Sequence, residues 1–195
     1  MYTSQNVPII IPCFNRPEFL EQCLNHLKNC DLIEQFEVFF SFDNKELDSK
    51  ESKQVLKLCK EWEYSPRTIC FRENIWHGSL NSTGSIFHVM KRISNPNGFI
   101  YIEEDINVSR CFLRFCLDAL NFYNDNKYVM MVTGSNINQM KNPELPNISK
   151  LNGICTCSIL WGIASWWNRW AWIDENLESF CEDPSSIKED LFGIL

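Results

Sequence analysis

Three consecutive carboxylates, Glu103-Glu104-Asp105, follow directly on the apolar run Phe99-Ile100-Tyr101-Ile102. Side chains two apart on extended backbone point the same way, so Glu103 and Asp105 can both face one crevice. Magnesium and manganese favour oxygen ligands, often take only one or two protein carboxylates, and complete their shells with phosphate oxygens and water. A diphosphate leaving group gathers negative charge as its bond breaks and needs such a Lewis acid beside it. The triplet therefore suits Mn2+ or Mg2+ holding a diphosphate, with Asp105 as the leading ligand. A solvated acidic turn is the plain alternative, although like charges gathered at a strand end call for a compensating ligand.

Other polar residues fall at similar places. Asn15-Arg16 ends the run VPIIIPCF, Asp43 ends FEVFFSF, and Asn74 opens a polar loop that also carries His77 and Gly78. Asp43 can hydrogen-bond a base or ribose, or simply cap the segment after it. His77 has the chemistry of a metal ligand or base, whereas His88 sits among apolar helical positions and reads as structural.

The elements that must position these groups are legible from periodicity. The first apolar run, residues 7 to 14, is followed by Pro17, which suits the first turn of a helix over about 17 to 29. A second strand over 36 to 42 precedes a helix over 47 to 62, with Val55, Leu56, Cys59 and Trp62 at helical spacing. A third strand over 68 to 71 and a helix over 80 to 93 lead to Asn95-Pro96-Asn97-Gly98, which breaks the chain. The fourth strand, 99 to 102, is followed by a helix over 112 to 123 and a fifth strand over 128 to 132. Residues 134 to 152 read as a loop or insertion, 154 to 160 as a further strand, and 161 to 172 as an aromatic stretch. Strands alternating with helices predict an α/β fold, a mostly parallel sheet with helices on both faces. Ligands then bind beyond the C-terminal strand ends, near the point where strand order reverses. Asn15, Arg16, Asp43, Asn74 and the triplet converge there.

The chain has 195 residues, 45% of them hydrophobic, enough for one core and one domain over residues 1 to 195. Eighteen basic against 25 acidic residues give a net charge of -7, which leaves no footprint for nucleic acid. Ten cysteines without Cys-x-x-Cys spacing or a leading signal segment read as reduced, buried thiols and place the expectation in the cytoplasm. No apolar run approaches the roughly 18 residues that span a bilayer.

The segments IPCFNRPEFLEQCLNHL, SFD, FRENIWHG, FIYIEED and WGIASWWNRW occur in the order expected of a GT-A glycosyltransferase. Over nearly its whole length the chain resembles bacterial sugar transferases of the nucleotide-diphospho-sugar transferase superfamily, with features of the N-acetylglucosaminyltransferase I type. The resemblance implies a GT-A, Rossmann-like domain that moves a hexosyl or N-acetylhexosaminyl group from a UDP- or GDP-sugar to a hydroxyl of a glycan or lipid-linked acceptor. Peripheral membrane contact is compatible with the latter. By the same resemblance the first strand, including Pro12, and Asn15-Arg16 border the nucleotide, and Asp43 contacts the base or ribose. Asn74 lies at the donor too. Glu103 to Asp105 replace the DxD motif, with Asp105 on the metal and Glu104 close to the ribose or diphosphate. The commoner Glu-Asp-Asp is longer here by one methylene in the middle.

Trp161-Gly162-Ile163-Ala164-Ser165-Trp166 resembles the family's Trp-Gly-Trp-Ala-Thr-Trp segment, in which Gly162 permits close approach to the donor and aromatic faces line a sugar pocket. Ordinary packing explains the tryptophans as well. Lys188-Glu189-Asp190-Leu191-Phe192 resembles the family's acidic pair and aromatic residue. It implies inversion, with Asp190, then Glu189, as the base that takes the acceptor's proton. A charged surface helix is the alternative there. Related domains continue further beyond this pair, so a truncated nucleotide-sugar-binding domain without turnover is the rival expectation. A sugar nucleotidyltransferase is a weaker rival, since no Gly-rich, Lys- or Arg-bearing loop follows the first strand to grip a triphosphate.

Overall fold

The computed structural model describes residues 1–42, 47, 49–72, 79–135 and 161–170. Among them ten regular elements form a six-stranded sheet with helices on both faces. In chain order they are β1 (Ile9–Cys13), α1 (Pro17–Leu27), β2 (Val38–Phe42), α2 (Lys50–Glu61), β3 (Arg67–Phe71), α3 (Ser79–Met90), β4 (Gly98–Tyr101), α4 (Phe112–Phe122), β5 (Met131–Thr133) and β6 (Ile163–Trp166). Spatial order is β3-β2-β1-β4-β6-β5. The first four strands are mutually parallel, whereas β6 runs antiparallel to both β4 and β5.

This order dictates where the helices lie. From β1 the chain steps outward through β2 to β3, then crosses back over both to place β4 on the other side of β1. Right-handed crossovers put the connecting helices of the outward steps on one face and that of the return step on the opposite face. Accordingly α1 and α2 pack on one face, where α4 joins them against the rule for its own step from β4 to β5, through Leu20, Leu24, Leu27, Val55, Cys59, Leu113, Cys116 and Leu120, against Ile9, Ile11, Phe40, Phe42, Ile100 and Trp166. On the other face α3 packs Ile86, Phe87, Val89 and Met90 against Ile10, Phe39, Phe99, Tyr101 and Ile163. Because β1, β2 and β4 are buried on both faces, their sequences are continuous apolar runs rather than alternating ones.

Local chemistry fixes the ends. Ser49 Oγ caps α2 by accepting the Ser52 amide at 2.9 Å. Pro17 opens α1, but the residue at its N-cap is Arg16, which makes no side-chain cap because its guanidinium reaches elsewhere. Seven cysteines among the described residues are free and all but Cys111 are buried. Burial pushes the Cys23 thiol up to about 12, and Cys13 and Cys59 lie side by side at 3.8 Å. They act as small apolar side chains, as the sequence suggests.

The aromatic stretch supplies what periodicity did not foresee. Its middle, Ile163–Trp166, is a fully buried strand inserted between β4 and β5. Trp166 donates to the Leu120 carbonyl at 3.1 Å. Arg169 stacks 3.3 Å from the Trp166 ring centre and donates to the carbonyls of Tyr123 and Asn124 at the end of α4 and of Val129 shortly before β5. Trp170 packs edge-on against Phe87 and Phe99. These side chains lock the strand to both faces of the sheet. The strand expected over 154 to 160 lies outside the described residues. No helix among the described residues is long and apolar enough to cross a membrane.

Candidate donor site at the β1 and β4 ends

Strand order reverses at β1, whose neighbours are β2 and β4. Between the C-terminal ends of β1 and β4 the departing chains diverge and leave the crevice in which open α/β sheets bind ligands. The ladder runs to the brink of the triplet, since the Ile102 amide still donates to the Ile10 carbonyl at 3.0 Å. Pro12 is the penultimate residue of β1, and Asn15 and Arg16 stand exposed on the loop beyond it.

Beyond the end of β4 the chain turns at Glu104-Asp105, so the three carboxylates go to different places and Glu103 does not share the direction of Asp105. Glu103 turns toward α3, where Ser82 Oγ donates to it at 3.4 Å. Burial, with the nearby Asp105 charge, raises its pKa. Glu104 turns to the opposite face and is only 3% exposed. Its two oxygens accept the Phe14 amide at 3.1 Å and Arg16 Nε at 2.6 Å. Burial still raises the Glu104 pKa against the pull of those two donors. Asp105, with its side chain about a third exposed, meets a second nitrogen of the same guanidinium at 2.8 Å. Arg16 therefore bridges the β1 loop to two of the three acidic residues. Burial lowers its pKa, but Glu104 and Asp105 outweigh that and raise it.

The donor set fits a hard divalent cation of the kind that borrows most of its ligands. All three carboxylates are engaged by protein donors, and Asp105, whose Arg16 partner is exposed, is the one at the open lip. Among the described residues no group of three His, Cys, Asp or Glu side chains forms a closed metal cage. One carboxylate completed by phosphate oxygens and waters is how magnesium is usually held.

Gly162 is at the same end of the sheet. Its φ of +66° is the left-handed region that favours glycine, and a Cβ there would lie 3.7 Å from Ile106, next to the triplet, and 3.5 Å from the Phe112 ring. Conformation, rather than crowding, demands the glycine. Trp161 beside it is half-exposed, whereas Trp166 and Trp170 are buried in packing. Asp43, Asn74, His77, Glu189 and Asp190 lie outside the described residues. His88 is in α3, and burial, with the Arg92 and Arg72 charges, pushes it down to about 4, so it is a neutral structural side chain at ordinary pH. Sequence reading did not pair Arg16 with Glu104. The signal for it was an arginine at a helix N-cap, where a short polar residue is expected.

No family model matches the sequence, and no curated protein is similar to it. Among solved structures, a mannosyltransferase of Pyrobaculum calidifontis, PcManGT, in complex with GDP-Man and Mn2+, is 13% identical over 66% of this chain and 34% of its own, with a TM-score of 0.49. TarS of S. aureus is 15% identical over 66% of this chain and 21% of its own, with a TM-score of 0.46. Its 1–349 form gives 14% identity, 66% and 34% coverage, and a TM-score of 0.45. This chain spans about a third or less of the length of each.

Proposed function

We propose that the chain is the donor-binding part of a metal-dependent glycosyltransferase, which takes a sugar from a UDP- or GDP-sugar and passes it to a hydroxyl of a glycan or lipid-linked acceptor. The observation that carries this reading is the meeting of Arg16 with Glu104 and Asp105 at the reversal point of the sheet. It gathers a cation-binding carboxylate, an anion-binding guanidinium and the loop after β1 in one crevice, which is what a diphosphate ester requires.

In this reading Asp105 holds Mn2+ or Mg2+, which when bound supplies Lewis-acid stabilisation of the departing diphosphate. Pro12 and Asn15 border the nucleotide from the β1 side, Asp43 and Asn74 complete that border, and Arg16 faces the phosphates. Glu103 shapes the crevice floor from the α3 side, and Glu104 acts on the donor through Arg16. Gly162 brings the Trp161 segment close to the triplet. Asp190, with Glu189 second, is the base that accepts the acceptor's proton in an inverting transfer.

The test is calorimetric binding of a panel of UDP- and GDP-sugars with and without Mn2+, together with release of nucleoside diphosphate in the presence of acceptor mixtures. Metal-enhanced binding of one donor by wild type, lost in Asp105→Ala, is the expected result. Failure of every donor to bind, with the two proteins indistinguishable, refutes the reading. Metal-enhanced binding with no release under any acceptor condition leaves donor binding in place and removes transfer.

A further inference from the structure

Resting on that reading, we propose that Arg16 couples the arrival of the metal to the arrival of the diphosphate, so that the free protein binds the cation weakly and the nucleotide unlocks the site. The guanidinium offers two separate edges to the acidic segment. Its Nε is anchored at 2.6 Å by Glu104, a buried carboxylate whose other oxygen is fixed by the Phe14 amide. Its terminal nitrogen lies 2.8 Å from the more exposed Asp105. The Phe19 ring lies 5.6 Å beneath the guanidinium carbon. The anchor is therefore the buried end and the transferable contact is the exposed one.

Asp105 cannot serve a divalent cation fully while it neutralises Arg16, because the two positive charges compete for one carboxylate at contact distance. A diphosphate resolves the competition. Its oxygens match the guanidinium fork, so the terminal nitrogen can leave Asp105 for phosphate while Nε remains on Glu104. The freed Asp105 then meets the cation, and the phosphate oxygens complete its shell. Arg16 is thus a positioning residue, and linkage requires the effect to be reciprocal: whatever factor the nucleotide adds to metal affinity, the metal adds to nucleotide affinity.

The experiment measures Mn2+ binding by loss of the free-ion paramagnetic resonance signal and by calorimetry, with no turnover involved, for wild type, Arg16→Gln and Arg16→Lys, each with and without saturating UDP or GDP. In wild type, Mn2+ alone binds weakly, and UDP or GDP tightens it at least tenfold. In Arg16→Gln, Mn2+ alone binds about two- to fivefold more tightly than in wild type, and the nucleotide's enhancement shrinks by the same factor. Arg16→Lys carries the test if Arg16→Gln does not fold. A lysine cannot hold two carboxylates at once, so Mn2+ alone tightens at least twofold. Unchanged Mn2+ affinity in the variants, or an unchanged nucleotide enhancement, overturns the coupling while leaving the donor site standing. If wild type binds neither UDP nor GDP with Mn2+, the donor-site reading fails and the coupling with it.

Discussion

Glu104→Ala should loosen the loop after β1 without touching the core. Glu104 accepts the Phe14 amide at 3.1 Å and Arg16 Nε at 2.6 Å while being only 3% exposed. Leaving the part-buried Phe14 amide without that acceptor costs about 1–3 kcal/mol. The Arg16 side chain is 45% exposed and rehydrates once freed, so its share falls to about 0.2–1 kcal/mol, the range of surface pairs. Alanine also removes the cost of holding a desolvated carboxylate, which shows as the raised Glu104 pKa. The net loss is about 2 kcal/mol, or roughly 4–8 °C in Tm for a domain of this size. Glu104→Gln, which keeps an acceptor for Phe14, should lose about half as much. Urea unfolding with an unchanged m-value is the assay, with hydrogen exchange at the Phe14 amide as the local readout. A Glu104→Ala protein within about 0.5 kcal/mol of wild type, with Phe14 exchange unaltered, would refute the claim that this carboxylate holds the loop.

Asp105→Ala should lie within about 1 kcal/mol of wild type, because its partner is exposed and Glu104 retains the other edge of the fork; the same preparation should lose Mn2+-enhanced donor binding. Gly162→Ala should destabilise by about 1–2 kcal/mol, the cost of a side chain at left-handed φ, since the new Cβ meets only ordinary contacts with Phe112 and Ile106; denaturant melts will show it. His88 is pushed from 6.5 to about 4 by burial and by Arg92 and Arg72. Between those values the unfolded chain binds more protons, so this contribution to stability is full above pH 6.5 and is lost as pH falls toward 4. The slope is at most about 1.4 kcal/mol per pH unit, less for a part-exposed group, and His88→Gln should flatten it in urea midpoints measured across that range.

Most of the sheet could be read from residues near one another in sequence. Ile9–Cys13 and Val38–Phe42 are apolar runs because parallel strands are covered on both faces, and Pro17 marks a helix start by local chemistry, whereas the Ser49 cap sets the start of α2 three residues inside the 47 expected. Strand β6 was not legible, because Ile163–Trp166 owes its conformation to β4 and β5 on either side rather than to its own pattern. The acidic triplet was visible as chemistry, and its position at a strand end followed from the apolar run before it. The separate directions of its three side chains were not visible. They depend on Arg16 and Phe14, some 90 residues earlier, and on Ser82 in α3, partners that only the closed sheet brings near.

The insertion of β6 beside β4 also sets a schedule. Gly98–Tyr101 gains its second neighbour only when Ile163–Trp166 has been made, roughly 60 residues later, or about 3–12 s at ribosomal speed. For that interval the strand leading to the acidic triplet is an open, apolar edge, the kind of surface on which chains join one another. The wall of the candidate donor site is thus closed only after residues 163 to 166 are made, and a nascent chain stalled before residue 161 should present an open apolar strand next to an acidic turn.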